Sequence, residues 1–337
     1  MGAAHINWIN YKFIGVDGYG LFGRYFVQSL HRIGVHVSPF VVEQLTWPSW
    51  MRLLAGLDGN RLSIALMPSY ELRPTGGRIW NFTMYEGTGL EERWGHVANR
   101  VAERMIVPHE WLIDVMRDNG IHIPVHVVPG GTCPTVFPVT PSSPYEGDRP
   151  YTFLALGDRG SRKGHDVVWR AFWKAFEDEK DVRLIVKARL GGLPMMSMAF
   201  FDPRVTFWRE DVEDMNQVYA LADCFVFPST GEGWGMPPRE FAMTGKPVIA
   251  TRGTSLQDGI DEWAIPLEKV TREPADLLGE GTWDKVDADE VAERMRWCYD
   301  HRAEARQKGL AAAAWLRDHQ TWDIAAHKLM DLIEEYR

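Results

Sequence analysis

Short apolar runs alternate with helical stretches along nearly the whole chain, and this alternation restricts the fold more than any other feature. From Ile14 to Phe40 a glycine-rich turn, Gly15-Val16-Asp17-Gly18-Tyr19-Gly20, leads into a helical pattern through Leu21, Tyr25, Leu30 and Ile33, and Val35-His36-Val37 reads as the next strand. β-type runs follow at Leu62–Leu66, Ile79–Met84, Arg104–Val107 and Val125–Val128, with helical patterns at Gly95–Ala102 and Trp111–Asn119. A second series places strands at Tyr151–Leu156, Arg183–Val186, Cys224–Phe227 and Pro247–Ala250, and helices at Asp166–Phe176 and Met215–Ala222. A strand that reaches its successor through a helix pairs with it in parallel, so each series predicts an α/β unit with a parallel sheet. Pro138-Val139-Thr140-Pro141-Ser142-Ser143-Pro144 separates the two series and reads as a linker. Two domains, 1–140 and 141–320, follow. The segment from Ile324 to Tyr336 carries Leu329, Met330, Leu332, Ile333 and Tyr336 on one broad face, which requires a partner surface.

Composition sets bounds on function. At 337 residues the chain exceeds the usual single core, and 45% hydrophobic with 25% charged residues is ordinary for a globular protein. A net charge of −9 argues against a broad phosphate-binding surface of the nucleic-acid type. No long apolar stretch reads as a membrane span, and the first residues lack the basic segment and apolar core of a secretory leader. Cys133, Cys224 and Cys298 are too few and too scattered for a disulfide framework or a zinc site, so a reducing, cytoplasmic setting is expected.

The most informative segment follows the strand Cys224–Phe227 and runs Pro228-Ser229-Thr230-Gly231-Glu232-Gly233-Trp234-Gly235-Met236-Pro237-Pro238-Arg239-Glu240. Its three glycines permit close turns, and Pro237 or Pro238 suits the first turn of a helix. The start of that helix would favour a ligand phosphate, typically by ~0.3–1 kcal/mol, which other contacts must supplement. Glu232 and Glu240 are acceptors for two separate sets of hydroxyls, and a sugar nucleotide carries two polyols. At the end of the strand Tyr151–Leu156, the run Gly157-Asp158-Arg159-Gly160-Ser161-Arg162-Lys163-Gly164-His165 packs three cations between glycines. Such a loop suits a diphosphate, at roughly 1.5–3 kcal/mol for each charge-assisted hydrogen bond.

The run from Glu232 to Glu240 resembles the E-x7-E signature of retaining GT-B glycosyltransferases, particularly glycosyltransferase family 4, and the resemblance covers nearly the whole chain. It implies two Rossmann-like domains with parallel sheets facing across a cleft, with residues 321–337 as a helix packing back on the N-terminal domain. It also implies that Glu232 contacts the transferred sugar, that Glu240 binds the ribose, and that backbone around Gly235, Met236 and Pro237 cradles sugar and phosphate. The run from Gly157 to Gly164 is similar to the family's G-R-…-K-G segment, whose cations neutralise the leaving diphosphate without a metal. Lys163 matches that segment. Asp158 stands where the family has arginine, so Arg159 or Arg162 must substitute.

The N-terminal glycine turn resembles the family's first loop, which gives Gly18 and Gly20 a place near donor and acceptor. Glu86, in Thr83-Met84-Tyr85-Glu86, falls where relatives often carry a histidine, and a carboxylate there can take a proton from the acceptor hydroxyl. His96 is a second candidate. The function expected is therefore retaining, metal-independent transfer of a sugar from a nucleotide-diphosphate sugar to an acceptor hydroxyl, with no cofactor. A sugar-nucleotide epimerase, a phosphorylase-like enzyme and a non-catalytic sugar-nucleotide-binding protein are the alternatives. The partner is a nucleotide sugar. The acceptor stays open between glycan, lipid-linked sugar, protein, small molecule and modified nucleic-acid base. Trp47, Trp50, Trp80, Trp94 and Trp111 are stacking surfaces on paper, but large aromatics more often build cores.

Overall fold

The computed structural model describes residues 5–10, 18–42, 56–140, 149–158, 162–188, 202–275 and 281–337. The chain forms two compact units. The first takes the described residues up to Gly131, together with Gly281 and Gln320–Arg337, and the second takes the rest.

The first unit is built on strands β1 (His5–Asn10), β2 (His36–Val41), β3 (Ser63–Leu66), β4 (Ile79–Phe82), β5 (Arg104–Val107) and β6 (Val125–Val127), with helices α1 (Gly18–Arg32), α2 (Arg93–Val101) and α3 (Trp111–Asp118) between them. The strands lie in the order β2-β1-β3-β4-β5-β6, all parallel. β1 escapes the apolar pattern because it carries Asn7 and Asn10, both wholly buried. The Asn7 Nδ2 donates to the Asp58 carbonyl at 3.1 Å and to Ser63 Oγ at 3.2 Å, which offsets part of the cost of burial, while its Oδ1 has no partner among the described residues.

The second unit runs β7 (Tyr151–Leu156), α4 (His165–Ala175), β8 (Val182–Lys187), β9 (Val205–Trp208), α5 (Asn216–Tyr219), β10 (Cys224–Phe227), α6 (Met236–Met243), β11 (Val248–Thr251), α7 (Ile260–Trp263) and β12 (Ile265–Leu267). An antiparallel pair, β13 (Val270–Pro274) and β14 (Thr282–Val286), follows, then α8 (Ala288–Asp300) and α9 (Arg302–His319). The six-stranded sheet has the order β12-β11-β10-β7-β8-β9, again parallel. Every residue of β10 and β11 is buried. That is the expected signature of a parallel sheet covered on both faces. Phe153, Phe172, Leu184, Val226 and Met295 fill one side, and Leu154, Phe225, Phe241, Trp263 and Leu316 the other. The chain builds outward from β7 through β8 to β9, then returns to the opposite side of β7 with β10. Connections therefore leave the C-terminal ends of β7 and β10 in opposite directions, opening a crevice between them.

The last helix, α10 (Trp322–Glu335), belongs to the first unit. Thr321 caps it by accepting the Ile324 N–H. Trp322 packs edge-on to Phe22 at 4.8 Å, and Asp323 accepts from Ser29 Oγ at 2.7 Å and from Arg32. Of the apolar face, Leu329 and Ile333 are buried. The linker expectation shifts: Pro138, Val139 and Thr140 belong to the second unit, where Thr140 N–H donates to Thr244 and its carbonyl accepts from Arg306 at 2.6 Å. Residues 141–144 lie outside the described residues. Among the described residues, no helix is long and apolar enough to cross a membrane.

Candidate functional site

The crevice between β7 and β10 receives one loop from each strand, and the two loops are laced together. Thr230 N–H donates to the Arg162 carbonyl at 2.9 Å. Gly164 takes a left-handed φ of 69°, and a β-carbon there would lie 2.5 Å from the Pro228 carbonyl, so only glycine lets the loops close this far. Gly157 at φ 140° serves similarly: the Lys163 stem crosses it so closely that a β-carbon would stand 2.7 Å from Lys163 Cγ. The outcome is that Lys163 is laid down on Glu232. Its ammonium donates to Glu232 Oε1, which also accepts from Ser229 Oγ at 2.5 Å and lies 3.4 Å from Arg162 Nη1. Burial opposes the Glu232 charge, yet the charges of Lys163 and Arg162 outweigh it and hold its carboxyl below the usual range. His165, next along the chain, is fully buried, and burial followed by the Lys163 charge brings its pKa down to about 4, so it is neutral at pH 7.

Sequence reasoning gave Glu232 to a sugar and Lys163 to a diphosphate as separate roles. The structure joins them in one buried pair. Of the two arginines considered for the position lost to Asp158, Arg162 reaches Glu232, and Arg159 lies outside the described residues.

Glu240 sits on the first turns of α6 and is also buried. Tyr219 OH donates to its Oε2 at 3.1 Å, and the Tyr219 backbone is held in turn by Lys246 Nζ, 2.7 Å from its carbonyl. Burial without a cation raises the Glu240 pKa to about 7, despite the bond from Tyr219. A carboxyl whose folded pKa exceeds its unfolded value keeps its proton in the native state while the unfolded chain loses it. Native stability therefore falls as pH rises from about 4.5 to about 7, by on the order of 3 kcal/mol. Chemical denaturation of Glu240→Gln against wild type across this window should show the variant gaining relative stability as pH rises; a pH-independent difference would contradict this origin.

The helix start has few backbone donors to offer. Gly235 caps α6 with φ 81°, and Pro237 and Pro238 occupy its first turn. Proline has no N–H, so Met236 is left as the principal backbone donor of that turn for an anion. Side-chain cations must carry the charge.

A residue that sequence reasoning passed over turns out to organise the loop. Arg239 is wholly buried, with its guanidinium 4.1 Å from the Trp234 ring and 4.6 Å from the Trp263 ring. It donates to the carbonyls of Trp234 and Gly235, and to those of Ser255 at 2.9 Å and Asp258 at 3.4 Å. Between those last two acceptors and Glu232 stands Thr254, a non-glycine residue at φ 47°, whose Oγ1 accepts the Glu232 N–H at 3.0 Å. Arg239 thus ties the glycine loop to the turn that fixes the Glu232 backbone. Its signal in the sequence was an arginine one residue before Glu240, in a helix that is apolar apart from these two.

In the first unit, Gly18 and Gly20 lie within the first turn of α1 rather than in a loop, and Gly15, Val16 and Asp17 lie outside the described residues. On α1 a close approach is made at Gly23, where a β-carbon would overlap the Asn10 side chain. Tyr19 reaches the end of β4, with its hydroxyl 3.0 Å from the Met84 carbonyl, 3.2 Å from Met84 N and 3.4 Å from Thr83 Oγ1. Burial raises its pKa strongly, and the nearby Glu86 carboxylate adds to the effect. Glu86 is half-buried, whereas His96 is exposed on α2. Trp80 and Trp94 are buried core residues, Trp111 is half-buried, and Trp47 and Trp50 lie outside the described residues.

Residues 150–278 match the family described as Glycosyl transferases group 1. The serotype-specific mannosyltransferase WbdA of Escherichia coli is 29% identical over 105 residues, covering 29% of this chain and 13% of WbdA, so the chain spans a small part of that relative. Among solved structures, Anabaena HepE in complex with UDP and glucose is similar with a TM-score of 0.72 at 13% identity, over 98% of this chain and 100% of that one. Sucrose-phosphate synthase from Thermosynechococcus elongatus gives 0.75 at 15% identity, over 99% of both. Identities this low speak for the fold alone. The chain therefore has the GT-B fold, and residues 150–278, most of its second unit, are similar to the group 1 glycosyl transferases.

Proposed function

We propose that this protein is a retaining, metal-independent glycosyltransferase that moves a sugar from a nucleotide-diphosphate sugar to an acceptor hydroxyl. The observation that carries the reading is the convergence of Lys163 and Arg162 on Glu232 in the crevice between β7 and β10, with Glu240 buried on the helix that follows. Without donor, Glu232 neutralises Lys163. A donor diphosphate brings its own negative charge, and Lys163 and Arg162 then face the oxygen on which charge accumulates as the glycosidic bond breaks. Glu232, released from part of that pairing, accepts the sugar hydroxyls, and Glu240 accepts those of the ribose. Two fixed side-chain cations supply the role that a divalent ion plays elsewhere. Glu86 is assigned the acceptor hydroxyl's proton. The group 1 match over residues 150–278 supports the donor class.

The test is a panel of nucleotide sugars screened by thermal shift, followed by turnover with the stabilising donor in the presence of a chelator and NMR of the product's anomeric proton. Transfer that proceeds with the donor's anomeric configuration is expected. An inverted product or loss of turnover on chelation would overturn the retaining or the metal-independent part respectively.

A further inference from the structure

Glu240 can recognise a ribose only if its carboxyl is held in one orientation, and several rotatable bonds stand between that carboxyl and the helix. Tyr219 supplies the restraint. It is the last residue of α5 and is 1% exposed, with its ring edge-on to Phe241 at 5.5 Å and tilted to Phe137 at 5.9 Å. Behind it, Lys246 Nζ donates to the Tyr219 carbonyl at 2.7 Å and to that of Ala222 at 2.9 Å, which pins the end of α5. Ring and backbone are both held by the protein, so the hydroxyl has a fixed place: 3.1 Å from Glu240 Oε2 and 3.4 Å from the Pro237 carbonyl.

Packing alone does not ask for this hydroxyl, since the rings against which Tyr219 lies are those of phenylalanines. Its partner does. Among the described residues no other group donates to the Glu240 carboxyl, and no charged group stands close enough to lower its pKa. One oxygen, Oε2, is therefore occupied by the protein, and Oε1 is left to a ligand. Glu232 is divided in the same way: Lys163, Ser229 and Arg162 all approach its Oε1.

We propose that Tyr219 is a positioning residue for the nucleotide end of the donor, fixing Oε2 of Glu240 so that Oε1 accepts from the ribose hydroxyls. A carboxylate oxygen has lone pairs for both neighbouring hydroxyls of a ribose. Side-chain freedom given up beforehand is not lost on binding, so the ribose is held more tightly. A donor to Oε2 also favours the charged, acceptor-only form of the carboxyl, which is the form the ribose requires. This rests on Glu240 being the ribose site.

The experiment is calorimetric titration of wild type, Tyr219→Phe, Glu240→Ala and the double variant with UDP, GDP, ADP, CDP and inorganic pyrophosphate across a range of pH. For the nucleotides that wild type binds, Tyr219→Phe should raise Kd about tenfold at neutral pH, the loss of one hydrogen bond to a charged group, and leave the pyrophosphate Kd unchanged. In the Glu240→Ala background the same substitution should change Kd by less than about twofold, because nothing remains to be positioned. The affinity that Glu240 adds should grow in wild type as pH rises through its pKa of about 7, and with phenylalanine at 219 should grow only at higher pH, where the carboxyl ionises without that donor. Lys246, whose pKa burial brings down to about 8, titrates in all four proteins and cancels from this comparison, as does the ligand. An equal loss for pyrophosphate, an undiminished loss in the alanine background, an unmoved pH profile or unchanged nucleotide binding by Tyr219→Phe each overturns the proposal while leaving the donor reading intact. Glu240→Ala that binds nucleotides as wild type does, or wild type that binds none of the four, overturns both.

Discussion

Arg239→Met should cost the protein on the order of 4 kcal/mol or more and lower the Tm of the second unit by roughly 10 °C. The guanidinium donates to the carbonyls of Trp234, Gly235, Ser255 and Asp258 in a site closed to water, and a methionine leaves all four without that donor. The Asp258 carbonyl keeps the Trp263 Nε1–H at 2.8 Å, and each buried acceptor left without any donor costs about 1–3 kcal/mol before relaxation. The two indole faces add a cation–π term of about 0.5–2 kcal/mol each. Burial lowers the Arg239 pKa to about 10, so the group is still charged at pH 7 and these terms apply in full. Arg239→Lys should recover only part of the loss, since a point charge cannot serve carbonyls arranged around a planar fork. Turnover at temperatures where the variant is folded should also fall, because the turn from Gly253 to Asp258 fixes Thr254, and Thr254 holds the Glu232 backbone. A Tm within about 1 °C of wild type would show that the loop does not depend on this residue.

The contrast between what was legible in the sequence and what was not has physical causes. β5, β7 and β10 appear at the positions their apolar runs indicate, because central strands of a parallel sheet are buried on both faces and must be continuously apolar. β9, β12, β13 and β14 were missed: they are short or at sheet margins, where polar residues such as Thr206 and Lys285 are tolerated. The carboxylates at 232 and 240 stood out because a strand, three glycines and two prolines frame them and because the run resembles the E-x7-E signature; the structure shows both buried. That Lys163 would close on Glu232 was not, since their loops are far apart in sequence and meet only through the strand order β10-β7. Arg239 was hidden for a related reason. Its four acceptors are backbone carbonyls, which every residue carries, so no residue type announces them.

The Lys163–Glu232 pair gives the sharpest separation of stability from catalysis. Both side chains are about nine-tenths buried, so removing one leaves the other charge enclosed. Each of Lys163→Ala and Glu232→Gln should destabilise the ligand-free protein, on the order of 3 kcal/mol, as broken buried pairs do. The depressed Glu232 pKa fixes the pH dependence: the pair's contribution is present above the unfolded value of 4.5 and fades as pH falls through the lower folded value. In the double variant the second substitution removes the stranded partner, so its stability cost should fall short of the sum of the singles by about 1–3 kcal/mol. Turnover should behave differently. Losing the lysine removes charge from the leaving diphosphate, worth about 10²–10³ in kcat on the scale of other preorganised charges, and restoring electrical balance in the double variant returns none of it. Singles that turn over within about threefold of wild type would show that donor chemistry lies elsewhere, and additive stabilities would show that the two groups are not coupled in solution.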